Sequence, residues 1–324
     1  MKLHRRQFLN LSVAGCAALA WPALAAEWPS RPIRLIAGGA GSVTDIRARW
    51  LAERLGSALG QPVIVENNAA AGGNLAAEQV ARAAPDGYTL LLTHQGIAAI
   101  NPHLFARLGY DALADFVPVA RFGIGQLALV VLAASPIRSV ADLLARARAR
   151  PGAMNYGSNG NGTPPHLAAE QLKRMTGIEA VHVPYKGGGA LLTALLGSQV
   201  DWAIEGLTPL LPHAKSGALR ALAVTGGRRV PDWPDVPTLA EAGVPGYEYI
   251  GWTGVSAPAG TPKPIVDRLN AEINRAATSD EGQRFFAKAG AEGGGLSPAD
   301  FADFVRAEHT RFGRLIREAG LKAE

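Results

Sequence analysis

A chain of 324 residues, 48% hydrophobic and 18% charged, is long enough to bury a large core and suits two domains better than one. Its net charge is +5, and three of the positive side chains (Lys2, Arg5 and Arg6) lie within the first ten residues. A charge excess this small, with no basic run elsewhere, excludes a nucleic-acid-binding surface, so we expect no nucleic-acid partner.

The N-terminus is typical of an export signal. Arg5 and Arg6 precede a hydrophobic pair, a weakly apolar stretch follows at 11–20, and small residues end in a cleavage site after Ala25. The apolar stretch is shorter than the roughly 20 residues that a membrane-spanning helix needs. We therefore expect residues 1–25 to be a twin-arginine-type signal peptide, and the mature protein to be periplasmic.

Cys16 leaves one alternative open, because residues 13–16 resemble a lipobox, which would attach a lipid to Cys16. The residues after Cys16 stay apolar through Trp21, whereas a lipoprotein usually becomes polar there, so a cleaved signal is the preferred interpretation. Cys16 is the only cysteine and would be removed with the signal. The mature chain would then have no disulfide and no cysteine-based metal site.

The rest of the chain alternates short apolar strands with helices, which predicts an α/β fold whose parallel or mixed sheet is covered on both faces. The predicted strands are, in chain order, 34–37, 63–66, 88–93, 127–133, 154–156, 180–183, 200–204 and 219–225. The predicted helices are 46–55, 75–84, 140–150, 164–176, one after residue 189, 263–277, 280–289 and 298–319. We expect two lobes, 26–123 plus 251–324 and 124–250, with the terminal helices returning to the first.

Two strand-to-helix loops are the main candidates for a binding site: 38–45 (GGAGSVTD) and 157–163 (GSNGNGT). Their glycines allow backbone N–H groups to turn toward one point, and each helix start adds free N–H groups and the positive end of the helix dipole. Thr163 before a proline predicts an N-cap, and Ser42 with Asp45 predicts a capping box. One such loop in each lobe could hold a carboxylate without any arginine or lysine.

The alternative is that each loop is only a capped turn, which is common where a strand leads into a helix. Neither loop carries the glycine pattern and distant acid of a dinucleotide site, and neither is a P-loop. Phosphate binding is therefore disfavoured.

Polar residues at other strand ends are further candidates. Thr93 and His94 end one strand, where His94 would donate to a ligand oxygen or only cap the strand. Tyr185 lies at the next strand-to-helix junction. Glu205 ends another strand, where it would accept a hydrogen bond from a ligand ammonium or hydroxyl group, or pair as an ordinary edge residue.

Signatures of common enzymes and metal sites are missing, including H-E-x-x-H, C-x-x-C and G-x-S-x-G. His166 and Glu170 are spaced four residues apart, which we interpret as a contact on a helix surface rather than as a metal pair. We expect no metal and no cofactor.

In these same residues the chain resembles the tripartite tricarboxylate transporter substrate-binding receptors, also called Bug-type periplasmic binding proteins. The segments that carry the resemblance follow one another in the right order: 65–68 (VENN), 71–74 (AGGN), 84–90 (APDGYTL), 155–158 (NYGS), 161–167 (NGTPPHL), 182–188 (HVPYKGG), 219–225 (LRALAVT), 235–238 (DVPT) and 257–262 (APAGTP).

The resemblance implies a two-lobed periplasmic-binding-protein fold of the Venus-flytrap, type II-like class, with a ligand carboxylate held in the cleft by main-chain N–H groups and waters. In that family a Pro-Gly-Gly sequence precedes an Asp that Asp45 resembles, but this chain has Gly41 to Thr44 there and is one residue shorter. Glu205 and Gly206 stand where the family tends to show an Asp-Asn-like pair. The expected ligand-binding residues are Gly41, Ser42, Val43, Thr44, Asp45, Thr93, His94, Ser158, Asn159, Gly160, Asn161, Thr163, Tyr185 and Glu205.

The leading hypothesis is a monomeric receptor, not an enzyme, that captures a small organic carboxylate and presents it to the membrane permease subunits of a tripartite tricarboxylate-type transporter. One alternative is a periplasmic enzyme that acts on a carboxylate through His94, Lys186 or Glu205. Another is a ligand-sensing subunit for a sensor kinase. The sequence does not identify the carboxylate.

Overall fold

The computed structural model describes residues 28–288 and 290–319. The predicted signal peptide, with its twin arginine and Cys16, lies outside them. Within the described ranges, no helix combines the length and the apolar character that crossing a bilayer requires.

Strands and helices alternate through most of the chain. The strands are β1 (Ile33–Ala37), β2 (Val63–Asn67), β3 (Thr89–His94), β4 (Phe116–Leu132), β5 (Asn155–Ser158), β6 (Val181–Pro184), β7 (Trp202–Gly206), β8 (Leu219–Val224), β9 (Ile250–Pro258) and β10 (Ala291–Gly293). The helices are α1 (Val43–Leu59), α2 (Asn74–Ala81), α3 (Asn101–Leu104), α4 (Val140–Ala149), α5 (Pro164–Thr176), α6 (Gly188–Leu196), α7 (Leu207–Lys215), α8 (Lys263–Thr278), α9 (Asp280–Ala287) and α10 (Pro298–Ala319).

The strands form one mixed sheet with the order β2-β1-β3-β9-β4-β7-β5-β6, and β8 and β10 also pair with β4. Strand β4 serves both halves of this sheet. Its residues 116–126 pair with β9, and its residues 127–132 pair with β7 and β8. We call the half with β1, β2, β3, β9 and β10 lobe 1, and the half with β5, β6, β7 and β8 lobe 2.

Each lobe has its own apolar core. In lobe 1, β3 is buried throughout, as expected for a strand covered on both faces, and α1 and α8 pack on the sheet. In lobe 2, the rings of Tyr156 and Trp202 stack with centroids 4.9 Å apart inside the core. Helix α10 touches both cores, because Phe301 packs near Trp252 while Phe312 joins the core of lobe 2.

The structure differs from the sequence prediction mainly around β4 and α7. Residues 116–126 were not predicted as a strand, because Pro118 and two glycines interrupt the apolar pattern, and the pairing with β9 shifts register twice there. Helix α7 was not predicted because it contains Pro209 and Pro212. A proline in the first helical turn costs no hydrogen bond, so Pro209 is compatible with the helix. The predicted lobe boundary at residue 123 falls within β4, and the exact boundaries stay a prediction.

Candidate functional site

A cavity lies between the two lobes and encloses about 760 Å³ of empty space, including part of its mouth. Lobe 1 contributes the start of α1, the turn before α2, the end of β3 and the start of β9 to its wall. Lobe 2 contributes the starts of α5 and α7, and the middle of β4, where the strand passes from one half of the sheet to the other, completes the wall.

The first predicted loop leads into α1, whose first turn faces the cavity. Ser42 is the N-cap, and its Oγ accepts a hydrogen bond from Asp45 N–H at 3.3 Å. The Asp45 carboxylate accepts from Gly41 N–H at 2.9 Å rather than from Ser42 N–H, so the predicted capping box is only half formed. Val43 and Thr44 follow the N-cap, where an α-helix leaves N–H groups free. Both residues line the cavity.

Helix α7 begins at the same cavity from lobe 2. Its N-cap Gly206 and its first residues Leu207 and Thr208 belong to the wall. A Cβ atom on Gly206 would overlap Val43 Cγ2, so α1 and α7 begin next to each other. The positive ends of two helix dipoles therefore converge on the cavity.

Three N–H groups of the second predicted loop are already bonded to nearby residues, including that of Thr163, which donates to Gly160 O at 3.4 Å. Gly160 N–H donates to Ser158 Oγ at 3.1 Å, and Gly162 N–H donates to His166 Nδ1 at 3.2 Å. Helix α5 then begins with two prolines, which have no N–H. The part of this loop that reaches the cavity is Asn159 and Thr163.

Arg47 is a buried cation in the cavity wall, 5% exposed. Its Nη1 donates to Thr253 Oγ1 at 2.8 Å, and its guanidinium lies 5.2 Å from the centre of the Phe286 ring. None of the ion pairs among residues 28–288 and 290–319 includes Arg47. Burial lowers the pKa of Arg47 to about 10, so the side chain stays charged at neutral pH.

Two further ionisable groups line the cavity. Burial lowers the pKa of His94 to about 4, so its ring is neutral at pH 7, and its Nδ1 accepts from Gly96 N–H at 3.0 Å. The proton of the neutral ring is therefore on Nε2. Burial raises the pKa of Glu205 to about 7. Glu205 Oε1 accepts from Gly206 N–H at 2.6 Å.

The main chains of the two lobes meet beside the cavity at 39–41 (Gly-Ala-Gly) and 187–189 (Gly-Gly-Gly), which together we call the glycine seam. One hydrogen bond of 3.1 Å joins the main chains across it. A Cβ atom on Gly188 would lie 2.9 Å from both Gly41 O and Ser42 Cα, which is closer than real side chains approach. Only glycine therefore fits at this point while the lobes are in contact.

Residues 47–321 match the family described as "Tripartite tricarboxylate transporter family receptor". This chain belongs to that family.

Three known proteins illustrate the likeness. BugT of Bordetella pertussis is 38% identical over 314 residues, which cover 96% of this chain and 95% of BugT. Among solved structures, R. palustris Rpa4515 with adipate has a TM-score of 0.88 at 39% identity, covering 91% of this chain and 99% of that one. MatC from Rhodopseudomonas palustris with bound malate has a TM-score of 0.85 at 32% identity, covering 89% and 100%. The predicted family and the predicted two-lobed fold are confirmed.

In this receptor, the structure brings seven of the predicted site residues to the cavity wall: Ser42, Val43, Thr44, His94, Asn159, Thr163 and Glu205. It does not bring the other seven to the wall: Gly41, Asp45, Thr93, Ser158, Gly160, Asn161 and Tyr185. The Ser158 hydroxyl is buried and bonds within its own lobe to Gly160 and His182. The Asp45 carboxylate is occupied by hydrogen bonds from Gly41 N–H and from Asn67 Nδ2. Ligand contact by the first seven stays a prediction.

Sequence reasoning missed several residues of the wall. Arg47 follows Val43 by four residues and so lies on the same helix face, which is the signal that could have found it. The other missed polar residues lie in parts of the chain that were not predicted as strands or helices: Gln126 in β4, Thr208 in α7 and Thr253 in β9. Among the residues described, no group of three or more potential metal ligands occurs.

Proposed function

We propose that this protein is a periplasmic solute-binding receptor that captures a small organic carboxylate between its two lobes. As a monomer, it would then deliver the ligand to the membrane permease subunits of a tripartite tricarboxylate-type transporter. The family supports this proposal, as do two relatives solved with adipate and with malate. Residues 1–25 would direct export and be cleaved.

The observation that carries the proposal is the charge of the cavity wall. Arg47 is buried there without an ion-pair partner in the described part of the chain, beside the starts of α1 and α7. Moving an arginine out of water without a counter-charge costs several kcal/mol. A ligand carboxylate would offset this cost by charge-assisted hydrogen bonds of about 1.5–3 kcal/mol each. Each helix terminus would add roughly 0.3–1 kcal/mol.

Capture would proceed by closure of the lobes. In an open form the ligand reaches the free N–H groups at the start of α1 and the Arg47 guanidinium. Closure then adds the start of α7 and joins the glycine seam, so that both lobes contact one anion. Exclusion of water would strengthen each of these interactions. No step of this proposed capture changes the ligand chemically, so it involves no catalysis.

The test is isothermal titration calorimetry with a panel of succinate, citrate, malate, adipate, glutamate and benzoate, backed by thermal shift. Arg47→Gln should weaken the binding of every anion that binds by roughly 10- to 150-fold, the equivalent of one charge-assisted contact. The matched control is Arg82→Gln, which removes an exposed arginine that pairs with Glu78 at the end of α2. Its affinities should equal those of the unchanged protein.

Two outcomes would contradict the proposal. One is that no carboxylate in the panel binds. The other is that a bound carboxylate is chemically converted, which product analysis of the calorimeter contents by mass spectrometry would show. Delivery is tested separately, as uptake of the binding carboxylate by cells with and without this protein.

A further inference from the structure

Two hydrogen-bond acceptors in the cavity wall have no donor. Glu205, near the end of β7, is 1% exposed, and its Oε1 accepts from Gly206 N–H at 2.6 Å. Its other carboxyl oxygen, Oε2, is buried and meets no hydrogen-bond partner in the described structure. Asn159 Oδ1 is buried and has no partner there either. Both side chains line the cavity.

The Glu205 and Asn159 side chains lie close together in the wall. The Asn159 amide lowers the pKa of Glu205, so it lies near that carboxyl, although the larger effect of burial raises the pKa to about 7. A buried acceptor without a donor is uncommon in folded proteins. Such an acceptor in a ligand cavity points to a ligand that supplies the missing donor.

Arg47 contributes the opposite chemistry from the other lobe. It presents donors only, whereas Glu205 Oε2 and Asn159 Oδ1 accept. Arg47 and Glu205 do not form an ion pair with each other, so both remain available to one ligand. A carboxylate placed against Arg47 is attracted, but a second plain carboxylate placed against Asn159 Oδ1 and the ionised Glu205 would meet lone pairs.

We propose that the ligand carries, besides the carboxylate that faces Arg47, a hydroxyl or ammonium group that donates to Glu205 Oε2 and Asn159 Oδ1. The ligand class is thus a hydroxy- or amino-substituted carboxylic acid rather than an unsubstituted one. This inference rests on the proposed function and makes it more specific. Such a ligand contacts both lobes at once and therefore favours the closed form.

The test compares each unsubstituted acid with its substituted partners. The probes are succinate, malate and aspartate as one set, and adipate, 2-hydroxyadipate and 2-aminoadipate as another, each titrated calorimetrically. At least one substituted acid should bind tenfold or more tightly than its parent, which corresponds to 1.4 kcal/mol. In Glu205→Leu and in Asn159→Leu this advantage should fall below about threefold. In Arg47→Gln all affinities should fall, while the affinity ratio between each substituted acid and its parent should stay the same.

A pH series separates the two donor groups. The ionisable side chains in the cavity wall are Arg47, His94 and Glu205. Between pH 6 and pH 8 Arg47 stays charged and His94 stays neutral, so Glu205 is the group that changes. Affinity for an ammonium ligand should therefore rise over this interval as Glu205 ionises, whereas affinity for a hydroxyl ligand should not.

Three results would overturn the inference. Parents that bind as tightly as their substituted partners would remove the need for a donor. An advantage that persists in both leucine variants would move the contact elsewhere. Failure of all six probes to bind would also count against it. Binding of the parents without any advantage leaves the proposed function intact, while the absence of any carboxylate binding refutes both.

Discussion

Gly188→Ala should weaken ligand binding without weakening the fold. Gly188 is the first residue of α6 and has no left-handed backbone conformation, so alanine is compatible with its own lobe. All three atoms nearest to the added Cβ belong to the other lobe: Gly41 O and Ser42 Cα at 2.9 Å, and Ser42 N at 3.2 Å. In an open form the methyl group would face solvent. The substitution should therefore destabilise only the closed form.

The magnitude follows from these distances. Ordinary carbon contacts lie at about 3.5–4.0 Å, so the seam must open by roughly half an ångström or more. Overpacking of this kind typically costs about 1–3 kcal/mol. The seam hydrogen bond from Gly189 N–H to Ala40 O, at 3.1 Å, would be lost as well, at about 0.5–1.5 kcal/mol. Ligand affinity should fall at least about tenfold.

Three measurements check this prediction. Calorimetry with the tightest-binding carboxylate gives the affinity, thermal unfolding without ligand gives the stability, and small-angle scattering with and without ligand reports closure. The control is Gly56→Ala in α1, where the added Cβ meets only Gln61 O at 3.5 Å and Val63 N at 3.8 Å in the same lobe. That variant should keep full affinity. Unchanged affinity in Gly188→Ala would show that the seam is not part of the ligand-bound state, and the reasoning would be refuted.

Three other predictions follow from the buried polar groups. Arg47→Gln should leave the free energy of unfolding without ligand unchanged or higher, because it removes a buried charge that has no counter-charge. A clearly lower free energy of unfolding in urea denaturation would contradict this reason. Ser158→Ala should lower the free energy of unfolding by about 1–3 kcal/mol, because it removes the hydroxyl that bonds to Gly160 N–H and His182, and equal stability would show that those bonds contribute nothing. The pKa of His94 is lowered to about 4 in the folded protein, so the unfolded chain takes up this proton first as the pH falls below about 6.5. Stability from His94 is therefore complete above pH 6.5 and lost toward pH 4, at up to about 1.4 kcal/mol per pH unit. In His94→Gln, the number of protons taken up on unfolding at pH 5, which is given by the slope of the free energy of unfolding with pH, should be lower by about one. This difference from the unchanged protein does not depend on Glu205, whose raised pKa favours the fold as the pH falls.

The local pattern of the sequence determined most of the elements and the family. Helix α5 begins and ends, and helix α10 begins, where the sequence predicted, because proline starts and an apolar periodicity are local signals. The start of α1 was also predictable, since Ser42 and Asp45 cap it through contacts only three and four residues long. The segments typical of the transporter receptors are equally local, so the family and its two-lobed fold could be recognised before the structure.

The tertiary structure alone decided the chemistry of the cavity. Burial turns Arg47 from an ordinary helix arginine into an unpaired cation, and it depends on Thr253 and Phe286, more than 200 residues away. Helix α7 takes the role expected of the second loop, because the N–H groups of Gly160, Gly162 and Thr163 in that loop are already bonded to nearby residues. The glycine seam joins backbone segments that are about 150 residues apart in the chain. The need for glycine there comes from close contact in the fold, so no local pattern in the sequence could reveal it.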